Sequence, residues 1–159
     1  MVKEQSLSKP VSGPQKKLLL ISCSATKKNL INKPALQVYD GPSYKILRKY
    51  NPPNLDILIL SAKYGLIDAD QKISTYEQKM TESIAKHMQA YTTVKLTEIL
   101  NTNEYNEIHV NLGKTYIMAI DFENPMFKDF NIYFNNGPIG VRLHNLKTWL
   151  NSLAVLFGI

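Results

Sequence analysis

Apolar residues in this chain come in short bursts separated by longer stretches of mixed polarity, and the bursts set the frame of the fold. Leu18 to Ile21, inside the segment LLLISCS, is a continuous apolar run of the kind that a strand buried on both faces requires. Residues 56–62 (DILILSA), 107–112 (EIHVNL) and 131–134 (NIYF) repeat the pattern. Helical periods lie between them. Ser43 to Tyr50 carries Tyr44 and Leu47 three apart and stops ahead of Asn51-Pro52-Pro53, which cannot continue a helix. Thr81 to Leu100 is the longest candidate, with Ile84, Met88, Tyr91, Lys95 and Ile99 on one face. Its first turn holds Thr81 and Glu82, where a capping oxygen and a negative charge favour a helix start. Val141 to Leu156 aligns Leu143, Leu146, Leu150 and Leu153 into a stripe that should pack on a sheet. Strands alternating with helices predict an α/β fold: a small single domain with a mostly parallel open sheet of four or five strands flanked by helices. Right-handed crossovers then bring every strand-to-helix loop to one edge, where open α/β sheets bind their ligands.

Residues 1–16 carry Pro10, Gly13 and Pro14 and no apolar period, so they are expected to be a flexible tail, with residues 17–159 forming the domain. The 159 residues are 44% hydrophobic, enough for one sizeable core that needs no disulfide or metal. A single cysteine cannot close an intramolecular bridge, and no Cys/His pairs stand at zinc spacing, so a reducing cytoplasm is the expected setting. The longest fully apolar run is far shorter than the roughly 20 residues of a membrane span. Lys and Arg outnumber Asp and Glu by 19 to 13, for a net charge of +6, which favours an anionic partner. The excess is confined to the first half, since residues 81–159 are close to neutral.

The loops at the predicted carboxyl edge carry the candidate chemistry. After the first strand, Ser22-Cys23-Ser24-Ala25-Thr26-Lys27-Lys28 offers hydroxyls, a thiol, backbone N–H groups and two ammonium groups, the makings of an anion-binding nest without a Walker glycine pattern. Cys23 is a candidate nucleophile or a small buried strand-end residue. Val38-Tyr39-Asp40-Gly41-Pro42 is a turn in which Asp40 is either a general base or a helix cap. Leu60-Ser61-Ala62-Lys63-Tyr64-Gly65-Leu66 opens a long connection through Asp68, Asp70, Tyr76 and Met80. There Lys63 and Tyr64 offer a cation and a stacking surface, and Gly65 a turn needing positive φ or close approach. Asp68 and Asp70 read as solvated turn residues before metal ligands. Asn111-Leu112-Gly113-Lys114-Thr115-Tyr116 repeats glycine, cation, hydroxyl and aromatic. Gly137-Pro138-Ile139-Gly140-Val141-Arg142 leads into the last helix, where Arg142 can grip an anion. His87, His109 and His144 share no metal-ligand spacing.

The series Ile21 to Lys27, Val38-Tyr39-Asp40-Gly41, Ser61-Ala62-Lys63-Tyr64-Gly65-Leu66, Tyr76 and Pro138-Ile139-Gly140-Val141-Arg142 resembles an uncharacterised prokaryotic domain family with a Cys-Ser, Tyr-x-Gly and Ser-Ala-Lys-Tyr-Gly-Leu pattern. More distantly it is similar to the YaaA-like peroxide-stress proteins, although Cys23 and Ser24 stand where those have a Pro and the chain is shorter. That likeness implies DNA binding in oxidative-stress protection, and a shared pocket for Cys23, Ser24, Lys27, Tyr39, Ser61, Lys63, Tyr64, Gly65 and Tyr76. The residues support a nucleotide- or nucleic-acid-binding α/β domain, with the chemistry of an enzyme acting on nucleosides or nucleic acid left open. In it Lys27, Lys63 and Arg142 meet phosphate, Tyr39, Tyr64 and Tyr76 stack on or orient a base, and Cys23 or Asp40 reacts. The alternative is a non-catalytic DNA-binding stress-response protein. A third reading makes the apolar end, Leu153 to Ile159, an interface for a protein partner. No cofactor is assigned.

Overall fold

A computed structural model describes residues 16–156, with side chains as far as Ala154. The expected tail lies outside these residues apart from Lys16, which opens the first strand. The four apolar bursts form β1 (Lys16–Ser22), β3 (Leu55–Ser61), β6 (Tyr105–Asn111) and β7 (Ile132–Phe134). Together with β4 (Gly65–Asp68) they build a five-stranded sheet in the order β4-β3-β1-β6-β7. All pairings are parallel except β3 with β4. The fold class is therefore α/β with a mostly parallel sheet of five strands.

Alternate residues of the central strands point to opposite faces, and both faces are covered. Leu18, Leu20, Leu58, Leu60, Ile108 and Val110 face the long helix α3 (Glu82–Thr102) and two short 3-10 turns, 116–119 and 125–127. Leu19, Ile21 and Ile59 face α1 (Ala35–Val38), α2 (Pro42–Tyr50) and α4 (Ile139–Leu156), which contribute Val38, Tyr44, Leu47, Leu146 and Leu150. The stripe expected on the last helix is the packed one: Leu146, Leu150 and Leu153 are buried and Leu143 half-buried. Leu153 and Ala154 thus belong to the domain's own core, while the rest of the proposed apolar interface lies outside the described side chains.

The long helix starts where expected, with the Thr81 hydroxyl accepting from the Ile84 N–H at 3.1 Å. Its most deeply buried face lies beside the expected one, of which Ile84, Met88 and Ile99 are half-buried against the core. Tyr91 is 69% exposed, and Ala85, Thr92, Thr93, Leu96, Thr97 and Leu100 are buried instead. Threonine can occupy this face because its hydroxyl finds a partner in the helix itself: Thr92 donates to Met88 O at 2.7 Å and Thr97 to Val94 O at 2.8 Å.

The connection after β3 is a hairpin and not a long open loop. Ala62, Lys63 and Tyr64 turn the chain back into β4, with Gly65 at φ 76°, a value that favours glycine. Farther on, β5 (Lys72–Ile73) pairs with β2 (Lys33–Pro34), tying this segment to the chain after β1. No helix among the described residues is long and apolar enough to cross a membrane.

Candidate functional site

The chain leaves β1 toward β3 on one side and returns through α3 to β6 on the other, so the topological switch point falls between the carboxyl ends of β1 and β6. A cleft of about 150 Å³ opens there, lined by Ser22, Cys23, Ser24, Gly41, Asn111 and Arg142 among others. Arg142, in the first turn of α4, reaches into it by donating from Nη1 to Asn111 Oδ1 at 3.2 Å and from Nε to Gly137 O at 3.2 Å. Ser22 helps to anchor the floor, since its carbonyl accepts from the buried Tyr44 hydroxyl at 2.7 Å. Burial raises the pKa of Tyr44, so it serves as a donor. Ser24 presses against Gly41, and its Oγ is held by the Thr26 N–H at 3.1 Å and donates to Thr26 O at 2.8 Å.

On the other side of Cys23 a second cleft, about 260 Å³, is bordered by Ser24, Lys27, Glu77, Lys79 and Tyr116. Cys23 is the half-buried divider of the two, with Sγ 3.0 Å from the Tyr116 hydroxyl and its N–H bonded to Leu60 O at 2.9 Å. Burial, and then the bond to Cys23, raises the pKa of Tyr116. Lys27 and Lys63 converge on one ring: their ammonium groups lie 4.5 Å and 5.6 Å from the centroid of Tyr76. Lys63 also stands 5.2 Å over Tyr64.

Beneath them runs a chain of hydroxyls. Ser61, fully buried, accepts from the N–H groups of Lys63 and Tyr64 at 3.1 and 2.9 Å. With both lone pairs taken, its own proton must go to Tyr76 Oη at 2.9 Å, and Tyr76 in turn donates to Tyr39 Oη at 2.7 Å. Burial raises the pKa of both tyrosines, that of Tyr39 to about 12.

The sequence-derived set divides on this geometry. Ser22, Cys23, Ser24 and Arg142 share the switch-point cleft, and Lys27 and Lys63 share the Tyr76 ring. Tyr39 and Tyr76 are buried wall residues, leaving Tyr64, half-buried at the hairpin, as the tyrosine of the three with a partly open surface. Gly65 shapes the hairpin. The expected nest is largely spent on the fold, because the N–H groups of Thr26 and Lys28, like that of Cys23, already have internal acceptors. Asp40 does not cap α2, whose N-cap is Gly41. Its carboxylate is ion-paired with Arg48, which also ties down the carbonyls of Leu36 and Tyr39. Asp68 and Asp70 are both exposed. Asn111 and Tyr116 were not placed in the candidate set: Tyr116 was noted as the aromatic of its loop, and Asn111, the last residue of β6, was marked only by its place at the carboxyl edge.

An open α/β sheet covered on both faces, with a cleft at its switch point, defines the general class of the molecule. Within it, residues 18–148 match the model of a family of unknown function, DUF6884, and the chain belongs to that family. No curated protein matches the sequence.

Proposed function

We propose that the carboxyl edge binds a nucleotide or a phosphate-bearing stretch of nucleic acid, in a cleft where Cys23 is the candidate reacting group of an enzyme acting on it. The observation that carries this reading is Arg142, a guanidinium set by Asn111 at the rim of the switch-point cleft and facing the serine-flanked Cys23. Open α/β sheets place ligands at this point, and a guanidinium suits phosphate oxygens. Lys27 and Lys63 add positive charge on the far side of Cys23, in the basic half of the chain. The single thiol fits a reducing, cytoplasmic setting.

Non-catalytic DNA binding, as the YaaA-like resemblance implies, is the second reading. It takes support from the Ser61 to Leu66 block, whose buried groups are spent on internal hydrogen bonds and leave Lys63 exposed at the turn.

Thermal-shift titration with nucleoside 5′-monophosphates and with short DNA separates the two. The pocket reading expects saturable stabilisation by monophosphates that Arg142→Ala weakens at least tenfold. The DNA-binding reading expects a steep loss of DNA affinity with salt that is unchanged in Cys23→Ala and Asp40→Ala. No response to either ligand at millimolar concentration overturns both.

A further inference from the structure

A separate hollow of about 190 Å³ lies between β6, β7 and the middle of α4. Three rings stack along its wall. His109 lies 3.7 Å from Trp149 at 19° between planes, and Tyr133 lies 5.1 Å from His109 at 28°. The far ring is left open, since Tyr133 is 47% exposed on the edge strand. Burial of His109 lowers its pKa against the opposing pull of Glu107, which favours the neutral ring in the stack.

Carboxamides supply the polar part of the wall, and their orientations are fixed by their partners. Asn135 donates from Nδ2 to Arg142 O at 2.9 Å, so its Oδ1 is the acceptor that takes Asn145 Nδ2 at 3.1 Å. Arg142 can only donate, so Asn111 presents Oδ1 to it. These bonds leave Asn145 its carbonyl and Asn111 its NH2 group to offer elsewhere, one acceptor and one donor beside a stacked aromatic wall. Asn111 also lines the switch-point cleft, which makes the two spaces neighbours.

We infer that this hollow is a slot for a planar heteroaromatic ring, the nucleobase of the ligand whose phosphate Arg142 meets. The volume suits a single ring system and is below the usual few hundred Å³ of a site that encloses a drug-sized ligand. Stacking on the Tyr133 end of the row supplies a sequence-tolerant attraction, and the carboxamides discriminate ring edges. The inference rests on the proposed function for the phosphate, while the slot itself stands on the stack and its amides.

Trp149 is the only tryptophan of the chain and lines the slot, so its emission reports occupancy directly. We expect adenosine, guanosine, cytidine or uridine to change that emission saturably in the full chain. Tyr133→Ala should weaken the response at least tenfold, and Tyr133→Phe should restore it. Tyr133 is half-exposed, so neither change threatens the core. A flat response to all four nucleosides at millimolar concentration overturns the slot, as does an unchanged affinity in Tyr133→Ala. Monophosphates that bind through Arg142 without perturbing Trp149 overturn the slot and keep the phosphate reading. Nucleosides that bind through Tyr133, with monophosphate affinity indifferent to Arg142→Ala, uphold the slot and remove the phosphate reading.

Discussion

At Gly41 two loops of the site come so close that a Cβ would stand 2.5 Å from Ser24 Oγ. The backbone there has φ −72°, open to any residue, so the need for glycine is one of space. Gly41→Ala should cost about 1–3 kcal/mol by overpacking. Adding Ser24→Ala should recover much of that, because the nearest clashing atom is removed; urea unfolding of the single and double variants measures both. Ser61 illustrates a different dependence. Truncation to alanine leaves the two hairpin-turn N–H groups and the buried Tyr76 hydroxyl without their common partner, and should cost about 2–3 kcal/mol. Equal stability of Ser61→Ala and wild type in the same measurement would mean that another group or water replaces the oxygen. The residue types at these positions were legible as turn and edge chemistry, but which of them face a ligand was not. Tyr39 and Tyr76 read as stacking surfaces because a tyrosine carries the same letter whether its hydroxyl is spent inside the protein or not.

Elements were legible wherever periodicity and burial agree. The four apolar bursts became the four parallel strands, and α4 buries the leucine stripe its spacing marks. β4 was missed because Gly65–Asp68 is four residues long and follows a turn of three, too short for alternation to show. α3 was found with its face drawn to one side of the deepest burial: Ile84, Met88 and Ile99 do pack half-buried on the core, but Thr92, Thr93 and Thr97 count as polar in a pattern while their hydroxyls are satisfied locally or, for Thr93, by the Asp121 N–H at 2.9 Å. The corrected face has a direct test. Leu96→Ala, at a fully buried position, should destabilise by about 3 kcal/mol, and Tyr91→Ala by less than about 0.5 kcal/mol. The reverse order in denaturation would restore the face drawn from the pattern. Thr81→Ala should remove about 1 kcal/mol by uncapping the same helix, read by urea unfolding.

Across the whole molecule the buried tyrosines link the fold to alkaline pH. Tyr39, Tyr44, Tyr76 and Tyr116 cluster around Cys23 and all have pKa values raised, first of all by burial. Tyr39 keeps its proton up to about 12, whereas the unfolded chain loses that proton near 10. Between those values the folded state binds more protons than the unfolded one, so stability is full below pH 10 and declines as pH rises. Each such tyrosine contributes a slope of about 1.4 kcal/mol per pH unit. On the acid side His109, lowered mainly by burial, works in the opposite sense: stability is lost as pH falls below the ordinary histidine range. Tyr39→Phe keeps the ring and deletes one ionisation. It should lower neutral-pH stability by about 1 kcal/mol through the lost bond from Tyr76, yet flatten the alkaline decline by about one proton. Urea unfolding at a series of pH values gives both numbers from one data set. Parallel curves for Tyr39→Phe and wild type would show that Tyr39 does not hold its proton in the folded protein, and would take the hydroxyl chain beneath the site with it.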